Sequence, residues 1–133
     1  MFEYHAWLAV QNSPAGDTQS DRDSAYERVD IRLNPLRSLP GLVDVRRVNG
    51  MTQVSLSGFT NHRAGGGQDA IDAFVDIGRL APGSYGLMHL RDDEDPSGRT
   101  NEFQILAMRR GTVISESDRL LSPCEPCIED ADD

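Results

Sequence analysis

Val43-Asp44-Val45-Arg46-Arg47-Val48-Asn49-Gly50-Met51-Thr52-Gln53-Val54-Ser55-Leu56-Ser57-Gly58 reads as two strands folded about one tight turn. Asn49-Gly50 is a strong signal for a two-residue hairpin, because both central positions need positive φ. The turn fixes the pairing: Val45 lies opposite Val54 and Val43 opposite Leu56, all on one face. Asp44, Arg46, Gln53 and Ser55 then share the other face. Turn chemistry and alternation are separate signals, and here they agree.

Working outward, Phe2 to Val10 is aromatic and β-branched and stops at the turn-like Asn12-Ser13-Pro14-Ala15-Gly16, so it reads as the first strand. A first helix is expected from near Ser20 or Asp21, either of which can cap free backbone N–H groups. Tyr26, Val29, Leu33 and Leu36 give it a stripe at helical spacing. Pro35 ends or kinks it near Asn34, and Leu39-Pro40-Gly41 closes the connection. Beyond the hairpin, Gly65-Gly66-Gly67 reads as a flexible joint before a second helix over Gln68 to Leu80. Its inward face is Ile71, Phe74, Val75 and Gly78, and Pro82-Gly83 stops it. Tyr85 to Arg91 and Glu102 to Arg109 form a second antiparallel pair, and Thr112 to Glu116 adds a short edge strand after Arg110-Gly111.

The predicted order is βαββαββ: an α+β fold with one antiparallel sheet of about five strands and two helices on a single face. A split β-α-β arrangement resembling the ferredoxin-like fold, extended by the last hairpin, is its natural topology. Residues 1–116 make one domain, and 117–133 form an acidic, proline-containing tail. Tyr4, Trp7 and Phe103 are expected in the core or on a sheet face, with an exposed anchor for a partner as the secondary reading.

At 133 residues the chain is long enough to bury roughly two-thirds of its unfolded surface. No apolar run approaches the roughly twenty residues that span a bilayer. The opening Met-Phe-Glu-Tyr-His lacks the basic and apolar regions of a secretory signal, so a cytoplasmic location is expected. Net charge is −9, and all 13 basic residues are arginine. That balance argues against direct contact with nucleic acid, whose affinity rests on cationic contacts, and favours a basic partner. Asp92-Asp93-Glu94-Asp95 concentrates the charge on the turn between the last two long strands. Four like charges repel one another and have little stabilising role in a fold, so the cluster reads as a surface presented to something positive.

Chemistry is a poorer fit. His5, His62 and His89 are far apart in sequence, and no His-x-x-x-His or Gly-x-Ser-x-Gly spacing occurs. His89 alternates with Tyr85 and Leu87, which places it on one sheet face. Consecutive carboxylates on a loop are not the facing pair of a hydrolase. The triple glycine lacks the lysine of a P-loop. Asp93, Asp95, Ser97 and Gly98 match early positions of a calcium loop, but Gln104 stands where a bidentate carboxylate is needed, and the flanks are strands. Cys124-Glu125-Pro126-Cys127 has CxxC spacing with no second ligand pair, so no metal or cofactor is expected.

Four segments, read together, resemble the Immunity protein 7 family. They are Phe2-Glu3-Tyr4-His5 before Trp7, Asn49-Gly50-Met51 leading to Ser57-Gly58-Phe59-Thr60-Asn61-His62-Arg63, the acidic loop, and Leu121-Ser122-Pro123-Cys124-Glu125-Pro126-Cys127-Ile128-Glu129-Asp130. Ala6 stands where a glycine is usual, and Cys127 where no second cysteine is expected. The resemblance implies a non-enzymatic antidote of a bacterial polymorphic toxin system that binds and neutralises a cognate toxin domain. On that reading the toxin contacts are Asp92, Asp93, Glu94 and Asp95, then Glu129 and Asp130, with Glu125 and Glu102 as outer candidates. All would accept from Arg or Lys of a basic toxin, such as a nuclease with a cationic groove. The alternatives are a regulatory or scaffold module for another basic protein, and a calcium-dependent adaptor.

Overall fold

The computed structural model describes residues 1–125. The strands are β1 (Phe2–Val10), β2 (Leu42–Val48), β3 (Met51–Thr60), β4 (Tyr85–Asp92), β5 (Gln104–Arg109) and β6 (Thr112–Ser117). Helix α1 is Gln19–Leu33, and α2 is Gln68–Leu80. One six-stranded sheet runs β2-β3-β1-β4-β5-β6, with every neighbouring pair antiparallel. The first four strands have the split β-α-β arrangement expected, and β5 and β6 extend it beyond β4.

The hairpin forms in the register its turn dictates. Val43 pairs with Leu56 and Val45 with Val54, while Asn49 and Gly50 adopt φ of 52° and 79°. The same alternation runs through the central strands. Phe2, Tyr4, Ala6, Leu8 and Val10 of β1 are buried, as are Val54 and Leu56 of β3 and Met88 and Leu90 of β4. They meet Ala25, Val29 and Leu33 of α1 and Ile71, Phe74 and Ile77 of α2 in one core.

Two details of α1 depart from expectation. The cap is Thr18, not Ser20 or Asp21: Thr18 Oγ1 accepts from the Asp21 N–H, and the Asp21 carboxylate accepts from the Thr18 N–H. That reciprocal pair satisfies two free donors at once, which neither residue nearer the helix does alone. Tyr26 is only half-buried, with the Arg47 guanidinium 5.5 Å above its ring, and Ala25 fills the core position beside it. Pro35 ends α1 as expected, opening a 3-10 turn (Asn34–Ser38) that buries Leu36.

The helices are tied to each other by arginine. Arg28 donates to the Leu80 carbonyl at the end of α2, from Nε at 3.2 Å and Nη2 at 3.0 Å. Arg32 Nε reaches Asp76 at 2.8 Å. A cation on the last carbonyls of a helix also offsets its dipole. Both helices lie over the same sheet face, so among the described residues the other face has no helical cover.

Candidate functional site

The acidic loop leaves the end of β4 beside the start of β1. Asp92 is the last residue of β4, and the Asp93 N–H continues the ladder by donating to the Met1 carbonyl at 3.1 Å. The carboxylates are already engaged within the protein. Asp93 Oδ1 accepts from the Met1 amino group, which also lies 3.5 Å from Glu94 Oε1. His62 Nδ1 lies 2.6 Å from the same Glu94 oxygen. Asp92 Oδ1 accepts from the Glu94 N–H, and Asp95 Oδ1 accepts from both the N–H and the hydroxyl of Ser97, each at 2.9 Å. The cluster is thus a folded turn whose charges meet a terminal amine and an imidazole. Neither Arg91 nor Arg99 pairs directly with these carboxylates: Arg99 donates to Ser97 and acts on Asp95 by its charge alone, and Arg91 points elsewhere.

These partners move proton affinities. The His62 hydrogen bond holds Glu94 below the usual carboxylate range, against desolvation and with a smaller contribution from the Met1 amine. Bonds from Ser97 depress Asp95 in the same way. The Met1 amine is raised, chiefly by its bond to Asp93. A carboxyl depressed by folding stabilises the fold above its unfolded value, near 4.3, and loses that contribution as pH falls through the folded value. A raised amine does the reverse, contributing below its unfolded value near 8 and losing that as pH rises through the folded one. Glu94 and Asp95 therefore contribute above about pH 4.5, and the Met1 amine below about pH 8. Replacing His62 with alanine is expected to bring the Glu94 carboxyl back up toward its ordinary range. NMR titration of the Glu94 side chain reads this directly; an unchanged midpoint would mean that His62 does not hold it.

Arg91 organises the other side of this edge. Its side chain is only 7% exposed although it lies on the face without helices. Residues 118–125 fold back over it. The Asp118 N–H donates to the Phe103 carbonyl at 2.8 Å, and the Phe103 N–H donates to Ser122 Oγ at 3.0 Å. Arg91 then donates to Cys124 Sγ at 3.0 Å and to Glu125 Oε1 at 3.2 Å. Burial works against the guanidinium charge, but these two partners outweigh it and its pKa is raised. Asn101 completes the clamp, its Oδ1 accepting from the Cys124 thiol and from the Glu125 N–H. Glu125 is thus held at this edge and Glu102 half-buried in the preceding loop, whereas Glu129, Asp130 and Cys127 lie outside the described residues.

The remaining feature was legible in the sequence only as the secondary reading of three separate aromatics. Trp7 is 45% exposed on the uncovered face, whereas Tyr4 and Phe103 are buried. Trp7 stands edge-on to Tyr85 with ring centroids 6.3 Å apart, and His5 stands edge-on to Phe59 at 5.9 Å. His5 and His89, remote in sequence, are register partners on adjacent strands. Glu3 Oε2 lies 2.7 Å from His5 Nε2, and Asp118 lies 3.6 Å from His89 Nε2. The alternation Glu3, His5, Trp7 in β1 and Tyr85, Leu87, His89 in β4 carries the signal. Only the adjacency of β1 and β4 turns two alternations into one surface. Among the described residues, no group of three or more His, Cys, Asp or Glu is placed to hold a metal ion, and no helix is long and apolar enough to cross a membrane.

An α+β domain with exposed aromatics on the sheet face opposite its helices, and carboxylates at the strand ends, has surface to offer a partner. The family model described as Immunity protein 7 matches residues 1–130, and the chain belongs to that family, the immunity proteins of toxin systems. No curated protein and no solved structure matches the chain.

Proposed function

We propose that this chain neutralises its cognate toxin domain by stoichiometric capture, with no catalytic step, in the cytoplasm of the producing cell. Membership of the immunity family over residues 1–130 carries the reading. The charge supports a basic toxin: net charge is −9, and Asp92, Asp93, Glu94 and Asp95 fall at the end of β4 with Glu125 clamped nearby. A toxin with a cationic substrate groove, as a nuclease has, fits such a cluster. Glu129 and Asp130 continue the acidic sequence toward the same partner. Opposite charge raises association rates above the unsteered range of about 10⁵–10⁶ M⁻¹s⁻¹, and an antidote has to bind before damage accumulates.

The test is co-expression with the C-terminal domain of the toxin encoded beside it. Cells are expected to survive only with the antidote present, and an inactivated toxin domain to elute with it as a one-to-one complex. Equal killing in the presence of abundant folded antidote would overturn the reading.

A further inference from the structure

We propose that the toxin seats its apolar contacts on the sheet face opposite the two helices, around Trp7 and Tyr85, while the acidic strand ends beside that face receive its cations. This rests on the capture reading above and supplies what charge alone does not. Steering sets the rate of encounter, but tight binding needs a central, desolvated anchor, and Trp and Tyr are the side chains most often found there.

The register builds the surface. Ser55, Trp7, Leu87, Ala107 and Ile114 are successive partners on β3, β1, β4, β5 and β6, forming one row across the sheet. Trp7 stands in that row, and Tyr85 lies in the next, paired with Ala9. Small neighbours such as Ser55, Ala9 and Ala107 leave the two rings proud of the floor. Phe59 and Ile114, at 60% and 56% exposure, extend the apolar surface toward opposite sides. Exposed aromatic and aliphatic side chains gathered on one face, with polar residues between them, mark an interaction site. The only tryptophan of the chain lies at its centre.

Charge selects the occupant. Towards the start of β1 the face passes from His5 to Glu3 and Arg91, and then to the carboxylates of Asp92, Asp93 and Glu94. A partner whose apolar centre carries Lys or Arg on that side matches this sequence of surfaces, with Arg109 beside Ala107 and Ile114 left to meet an acceptor on the opposite side. A second copy of this chain would instead set one net charge of −9 against another, which repels.

The probe is the purified, catalytically inactivated C-terminal domain of the neighbouring toxin, titrated against wild type and against Trp7→Ala and Tyr85→Ala. Each substitution is expected to weaken binding roughly 30-fold or more, mainly through faster dissociation. Independently of any variant, wild-type chain labelled with 5-fluorotryptophan should give a single fluorine signal. Its solvent-isotope shift should shrink when toxin is added. Normal affinity in folded Trp7→Ala/Tyr85→Ala chain, or an isotope shift that persists in the complex, overturns the placement and leaves the capture reading standing. An isotope shift already lost in the free chain, together with dimeric sedimentation, assigns the face to self-association and overturns it too. If wild type does not bind the toxin domain at all, the capture reading fails and this inference fails with it.

Discussion

Ile77→Ala is expected to cost about 2–5 kcal/mol of stability, the range for emptying a buried aliphatic site, whereas Val75→Ala costs about 1 kcal/mol or less. The two residues lie about 200° apart around a helix, so α2 cannot bury both. Ile77 is fully buried and Val75 only partly. At position 75, alanine's better helix propensity also offsets part of the lost contact. Urea unfolding of the two variants decides the orientation of α2. A fold of this kind has only about 5–15 kcal/mol in total, so the larger loss would be plain in the midpoint. Similar costs at both positions would mean that the helix is rotated from the orientation described.

This contrast marks where sequence reading ran out. The spacing of Ile71, Phe74, Val75 and Gly78 is a sound helical stripe, and three of the four are buried. The packed stripe also takes in Ala70, Ala73, Ile77 and Ala81, all fully buried. Large apolar side chains reveal a face, but small ones fix its centre.

The Asn49-Gly50 hairpin was fully legible because turn and register are set within sixteen residues. The strand order gave the split β-α-β arrangement for a related reason: short connections and two helical stripes leave few alternatives. Gly65-Gly66-Gly67 was legible in position but not in purpose. Read as a flexible joint, it is a close approach: a Cβ on Gly67 would lie 2.2 Å from the Phe2 ring, and Gly65 holds φ at 86°. The aromatic face and the Arg91 clamp were hidden, since each joins residues distant in sequence. Phe59 meets His5 and Arg91 meets Cys124 only once the sheet has closed.

Reversing Asp93 and Glu94 to lysine is expected to slow toxin association about tenfold or more at low salt, and to flatten the dependence of that rate on salt. Steering by a charged edge raises on-rates by about 10–10³ and falls steeply with ionic strength. At 1 M salt the screening length is about 3 Å, so variant and wild type should there associate at the same rate. The fold now gives the variant a cost of its own. Asp93 and Glu94 meet the Met1 amine, and Glu94 meets His62. Lysines would set a like charge against the Met1 amine, remove the oxygen that meets His62 Nδ1, and loosen the loop. These pairs are solvent-exposed, and such pairs contribute little to global stability, so the melting temperature should stay within a few degrees. Asp93→Asn and Glu94→Gln remove charge without reversal and should give an intermediate rate, separating loss of attraction from new repulsion. Stopped-flow association across a salt series reads all of this at once. A rate difference that survives at 1 M salt would point to lost loop geometry, because screening leaves geometry untouched. No difference at any salt would remove the acidic loop from the encounter altogether.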